Sequence, residues 1–166
     1  SLGCIRSDQG RLEEALALHR ESHRRSAELG QRHVQVDAML NLLNTLCDLG
    51  RPEEGLALGE QGLALGNFLG TDGLRANLAA AYKETGQTAR AISHYRELSE
   101  TTPDPTLRCT AWCNLARFAH EAGDGTELSR CLDAARHDVQ LTDFPFIRAR
   151  VAAVFATYGT SDADLK

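Results

Sequence analysis

Leu78-Ala79-Ala80-Ala81-Tyr82-Lys83-Glu84-Thr85-Gly86-Gln87-Thr88-Ala89-Arg90-Ala91-Ile92-Ser93-His94-Tyr95 holds the frame that decides the fold. An apolar residue stands eight places before Gly86, an aromatic one four before it, and a small one five after it. Apolar residues three and four apart on both sides of a glycine describe two amphipathic helices joined at that glycine. Glycine suits the junction because it takes the left-handed geometry that ends a helix.

The frame recurs along the chain. Gly10, Gly50, Gly86, Gly123 and Gly159 are separated by 40, 36, 37 and 36 residues. The position eight before each is Leu2, Leu42, Leu78, Leu115 or Val151. The position four before is Leu46, Tyr82, Ala119 or Phe155, with Arg6 the exception. Five after come Ala15, Gly55, Ala91 and Leu128. A fixed period of this size marks a stack of supersecondary units, each burying its apolar stripe against the next. Arg51-Pro52-Glu53-Glu54 adds a helix start, with proline in the first turn and acids near the positive end.

These residues resemble the tetratricopeptide repeat family. Leu78-Ala79, Tyr82, Gly86, Ala91, Tyr95 and Pro103 carry the fullest match, and Trp112, Leu115 and Ala116 repeat part of it. His19 and Gly59 stand where the family prefers bulky apolar residues, and Gly55 and Gly62 replace alanines. The 40-residue first interval exceeds the family period of about 34. In this it resembles the longer repeats of kinesin light chains and MalT-like bacterial regulators. The resemblance implies an all-α fold: a right-handed superhelical stack of antiparallel hairpins, a TPR-like α-solenoid of about nine helices. Residues 1–159 form the repeat domain, in units of about 1–30, 33–66, 70–103 and 106–141 with a lone first helix at 145–158. Residues 160–166 form a polar tail. The chain begins at Ser1 in the middle of the helical pattern, which reads as a piece of a larger protein.

Composition agrees. Hydrophobic content is 42% with only 5% aromatic, which suits alanine- and leucine-rich helix packing. Net charge is −5, which disfavours general binding to nucleic-acid phosphates. The basic run His19-Arg20-Glu21-Ser22-His23-Arg24-Arg25 reads as a solvated helix face. Neither a membrane-spanning apolar run nor a signal peptide is visible. Five cysteines, with no Cys-x-x-Cys pair, fit small buried residues in a reducing, cytoplasmic setting.

Chemistry-bearing spacings are weak. Cys109, Cys113 and His120 share a stripe, but a zinc site needs four ligands. His19 and His23 lack the glutamate that follows the first histidine in metalloproteases. Cys113 and His120 are two turns apart, roughly 10 Å, too far for a nucleophile–base pair. Gly55, Gly59, Gly62, Gly66, Gly70 and Gly73 are not followed by Gly-Lys-Ser/Thr, so no phosphate loop is indicated. The first three share one helix face and would let a neighbouring helix approach closely, at about 1 kcal/mol each relative to alanine. We therefore expect no enzyme, metal or cofactor.

A polar recurrence points to binding. Asn41, Asn77 and Asn114 stand nine before their turn glycines, each next to the buried apolar position. Asparagine is a poor helix former, so its repetition needs a reason. An amide both donates and accepts, so a row of amides holds an extended backbone or bonds neighbouring helices. In TPR proteins such as O-GlcNAc transferase and kinesin light chain, such a ladder grips a partner's backbone. Asn44, Lys83, Arg117 and Arg150 share the face, with Asp37, Leu40, Asp48, Ala76, Ala80, Glu84, Cys113, His120 and Glu121. It has too few cations among its acids to hold a carboxylate tail. The expectation is a protein- or peptide-binding scaffold, a regulatory segment of a larger cytoplasmic bacterial protein such as a transcription regulator. The alternative is self-association into a homodimer through terminal helices exposing Val151, Val154 and Phe155.

Overall fold

The structure, a computed structural model, describes residues 2–159, with side chains from residue 10 onward. The expected polar tail at 160–166 lies outside the described residues. Eight helices and no strand are present among the described residues: α1 (Leu2–Glu28), α2 (Arg32–Asp48), α3 (Pro52–Ala64), α4 (Thr71–Glu84), α5 (Thr88–Thr101), α6 (Pro105–Glu121), α7 (Gly125–Val139) and α8 (Pro145–Tyr158). The fold is all-α, and within each of its compact units neighbouring helices pack on one another as in a TPR-like helical repeat.

Three frame glycines do what the sequence asks of them. Gly50, Gly86 and Gly123 have φ of 70°, 75° and 71°. After each, the next residue's N–H bonds back to the carbonyl four before the glycine: Arg51 to Leu46 at 2.8 Å, Gln87 to Tyr82 at 2.8 Å, and Asp124 to Ala119 at 2.9 Å. This six-to-one closure needs a left-handed residue, which glycine adopts without strain. Gly30 ends α1 in the same way, with Gln31 N bonded to Ser26 O at 2.9 Å.

Gly10 does not form a turn. It lies inside α1, a single helix of 27 residues, so the hairpin expected over residues 1–30 is replaced by one long helix. Gly10 runs into Arg11-Leu12-Glu13, without a counterpart of Pro52 or of Asp124, whose carboxylate accepts from Glu127 N at 3.0 Å to start α7. A lone helix-interior glycine costs only about 1 kcal/mol, too little to break the helix unaided. Eight described helices therefore stand where about nine were expected. Gly159 caps α8 in extended geometry, φ −71°, rather than left-handed.

The chain divides into two compact units at Ala91 and Ile92. In the first, α1 packs on α2, α2 on α3 and α4, and α3 on α4. Leu42 and Leu78, the apolar residues eight before their glycines, are buried there with Leu16, Leu43, Leu46, Leu74 and Tyr82. The glycine face of α3 is wedged between leucines. A Cβ on Gly55 would lie 2.5 Å from Leu43 Cδ1, and one on Gly59 2.7 Å from Leu78 Cδ1. On Gly62 it would collide with Leu74 Cδ2 and stand 3.0 Å from Met39 Sδ. The close approach expected from this face is present.

In the second unit α6 packs on α7 and α8, and α7 on α8. Leu115 and Val151 fill the equivalent frame positions beside Trp112, Leu132, Ile147 and Phe155. Asp104 accepts from Thr106 N at 2.8 Å, and with Pro105 sets the start of α6.

Candidate functional site

The residues singled out from sequence lie on the first helices of the hairpins: α2 and α4 in the first unit, α6 and α8 in the second. The residue before each buried apolar position turns outward or half outward because it sits 100° round the helix from it.

In the first unit Asn41 and Asn44 are exposed and Asn77 is half-buried. Asn77 Nδ2 donates to Asn44 Oδ1 at 2.7 Å, clasping α4 to α2. Each amide offers two N–H donors and two acceptor lone pairs, so the clasp leaves donors and acceptors on the surface. Lys83 is half-buried, and Asp48 and Glu84 are exposed. Burial pushes the Cys47 thiol up to about 11, helped by the carboxylates of Glu84, Asp48 and Glu53. Asp48 and Glu84 thus put two exposed carboxylates at this end of the α2/α4 face, beside Lys83. Asp37 points elsewhere: a Cβ on Gly70 would lie 2.6 Å from its Oδ1, which places the carboxylate at the electropositive start of α4.

In the second unit Asn114 is half-buried and bonds within its own helix, Nδ2 donating to Thr110 O at 2.8 Å. Its Oδ1 accepts from Arg117 Nη2 at 3.1 Å. Arg117 Nε also lies 3.8 Å from Glu121 Oε1. Arg150 Nη1 donates to Thr110 Oγ1 at 3.3 Å, tying α8 to α6. The exposed His120 ring packs against Tyr158 in a tilted contact, with centroids 4.7 Å and planes 38° apart. Two residues assigned to the open face are buried instead, Ala76 and Cys113. Each stands two places before its frame leucine, about 200° round the helix from it, so these helices bury more than the side that carries the frame leucine.

The three asparagines thus share a frame position but not an environment. Asn41 meets solvent, Asn77 meets Asn44, and Asn114 meets its own helix and Arg117. Asn77 and Arg150, both nine before a frame glycine, each reach back to the preceding first helix.

The cysteines whose side chains are described are poor nucleophiles. Burial raises Cys109 and Cys131 to about 11 and Cys113 to about 12, and the thiolate is the reactive form. Among the described residues no group of three or more His, Cys, Asp or Glu side chains could hold a metal. The basic run on α1 is neutralised locally: Glu21 accepts from Arg24 and Arg25, and those bonds, the Arg24 bond foremost, lower its carboxyl to about 2.

Sequence reasoning missed a buried ionic knot in the second unit. Asp138 is the one charged side chain in the buried set among the described residues. Arg108 grips it bidentately, Nε to Oδ2 at 2.9 Å and Nη2 to Oδ1 at 3.0 Å. Trp112 Nε1 donates to Oδ2 at 3.1 Å, and His137 Nδ1 lies 3.3 Å from Oδ1. Arg108 Nη1 also donates to Thr102 O at 3.1 Å and Pro103 O at 3.2 Å. Burial by itself would raise the Asp138 carboxyl, but the Arg108, His137 and Trp112 bonds outweigh it and hold its pKa below the ordinary value. A carboxylate so occupied is a structural anion, not a catalytic base. The only sequence signal was the four-residue spacing of Arg108 and Trp112, which puts both on one face.

Residues 74–108 match the family model of the tetratricopeptide repeat. This covers the third frame, whose residues carried the resemblance. It gives no support to the kinesin-light-chain or MalT-like variety in particular. No curated protein and no solved structure matches the chain. Tetratricopeptide repeats generally mediate protein–protein interactions, and the fold is typically a non-catalytic scaffold. No described helix is long and apolar enough to cross a membrane.

Proposed function

We propose that this chain binds a protein or peptide partner in extended form on its first-helix faces, and that it is a regulatory segment of a larger cytoplasmic bacterial protein such as a transcription regulator. The observation that carries the binding reading is the Asn77–Asn44 pair, a polar clasp on an open surface with donors and acceptors to spare. A clasp between helices alone would be served as well by apolar contact. Asn41 beside it presents a whole amide to solvent. The Asp48- and Glu84-bearing α2/α4 face and the Arg117- and Arg150-bearing α6/α8 face would each select for opposite charge in the bound segment.

The test is capture from lysate of the source cell, comparing the parent with an Asn41→Ala/Asn77→Ala/Asn114→Ala variant of verified helicity and melting temperature. A partner held by the parent and lost by the folded variant supports the reading. A folded variant that still captures the partner moves the site off these faces, and one that unfolds makes the asparagines structural.

A second reading is self-association into a homodimer; Val151 and Phe155, expected on an exposed terminal face, are buried by packing of α8 on α6 and α7, and the exposed apolar surface nearby is instead Leu141, Phe144 and Phe146 at 55%, 57% and 60%. Sedimentation as a monomer at all accessible concentrations would remove it.

A further inference from the structure

Helices α7 and α8 form a groove that none of the residues proposed above for peptide binding line. Its walls are one stripe from each helix: Arg136, Val139 and Gln140 from α7, and Arg148, Val151, Ala152 and Phe155 from α8. The floor is apolar, with Val151 and Phe155 almost fully covered. Its volume is about 240 Å³, larger than the roughly 150 Å³ that suffices to hold a benzene molecule. Phe144 stands one turn before Arg148, and Leu141 directly follows Gln140, so exposed apolar surface continues beyond one end. Stripes spaced three and four apart on two adjacent helices are the seat for a third helix.

Charge decides what kind of helix. Among the described residues α8 carries no acid, and its Arg148 lines the groove. Arg136 lies on the opposite wall, its guanidinium 4.9 Å over the Phe155 ring. The rim therefore presents cations from both sides of an apolar floor. The ion pairs these cations make are loose and wet: Arg136 to Asp133 at 3.8 Å and Arg148 to Asp143 at 3.6 Å, with the aspartates 76% and 107% exposed. Such pairs contribute little and leave the cations able to engage a further carboxylate. A second copy of α8 seated here would set arginine against arginine, whereas an acid-flanked apolar ridge would meet complementary charge.

We propose that the α7/α8 groove is a docking site for an amphipathic helix of a partner protein, with an apolar ridge flanked by glutamates or aspartates. The site is separate from the asparagine-bearing faces and is served by different residues.

The probe is a blocked amphipathic helical peptide with leucines at i, i+3, i+4 and i+7 flanked by glutamates, set against the same peptide with lysines in their place. Titration by fluorescence anisotropy should give saturable binding, roughly tenfold tighter for the glutamate peptide. Ala152 is exposed, so Ala152→Glu should leave folding intact while it narrows the groove and adds a repelling charge. It should abolish binding of the glutamate peptide, and Arg148→Glu should remove the preference for it. Asn77→Ala should leave binding unchanged. Absence of binding, equal binding of the two peptides, or undiminished binding by Ala152→Glu would overturn the proposal. So would concentration-dependent dimerisation that Ala152→Glu abolishes, which would give the groove to a second copy of this chain.

Discussion

Helix α3 meets α2 and α4 through Gly55, Gly59 and Gly62, whereas α7 meets its neighbours through Cys131, Leu132 and Ala135 and adds the buried carboxylate of Asp138. Both are second helices following a left-handed glycine. In α3 the contact surface belongs to the neighbours, whose leucines fill the space a side chain would have taken. Besides the three glycines the helix adds Leu58, packed against the Leu16–Leu42–Leu46 cluster, and Glu60, which accepts from Tyr82 OH at 2.6 Å, while Pro52 starts it without a side-chain cap. In α7 the helix brings its own anchors, a capping Asp124 at one end and the Arg108–Asp138–Trp112 knot at the other. One repeat frame therefore tolerates two ways of fixing helix separation, by absent side chains or by polar bonds. The difference bears on binding, because α3 sits against the two helices that carry Asn44 and Asn77. Its missing side chains help set the separation across which those amides bond.

The comparison is most easily broken at the knot. Asp138→Ala leaves the half-buried Arg108 guanidinium and the Trp112 N–H without their carboxylate, and should cost about 1–3 kcal/mol in urea denaturation. The pH dependence sharpens this. A carboxyl whose folded pKa lies below its unfolded value of about 3.9 contributes stability that is present above that value and is lost as pH falls through the folded one. The melting-temperature gap between the parent and Asp138→Asn should therefore be full at neutral pH and shrink below about pH 4. A gap that is independent of pH would deny Asp138 its role as a folded-state anion.

The glycine face should respond next. Gly59→Ala and Gly62→Ala each gain helix propensity but press a methyl group into buried Leu78 or Leu74. A net loss of about 1–2 kcal/mol is expected from overpacking. Gly10→Ala is the control with the opposite sign, because nothing lies within 4 Å of the added methyl and α1 is continuous there. It should stabilise by up to about 1 kcal/mol. Destabilisation at Gly10 would indicate a turn there after all. The smallest effect belongs to Asn77→Ala: one exposed hydrogen bond is worth about 1 kcal/mol or less, so this variant should stay folded.

The legible parts of this molecule are those set by single positions. A glycine needed at positive φ leaves its mark in one residue, so Gly50, Gly86 and Gly123 stand out. Gly55, Gly59 and Gly62 announce a close contact because their spacing keeps them on one face. Gly10 misleads because a turn also needs a new helix start after the glycine, and Arg11-Leu12-Glu13 supplies no cap. The knot is hidden because Arg108 and Asp138 are 30 residues apart on different helices, and apolar periodicity does not pair charges. The asparagine recurrence is visible as a pattern of residue types, but side-chain torsions decide what each amide bonds. Asn114 folds back on Thr110 whereas Asn77 reaches Asn44. Frame position alone does not distinguish them.

The central claim, that the α2/α4 face holds the partner, is most directly tested by site-specific photocrosslinking in the full chain. A photoreactive side chain at Asp48, exposed one turn beyond Asn44, should crosslink the partner that the parent captures. The same group at Leu18, 71% exposed on α1, should not. Crosslinking at Leu18 with none at Asp48 would contradict the account and place the partner on another face of the chain.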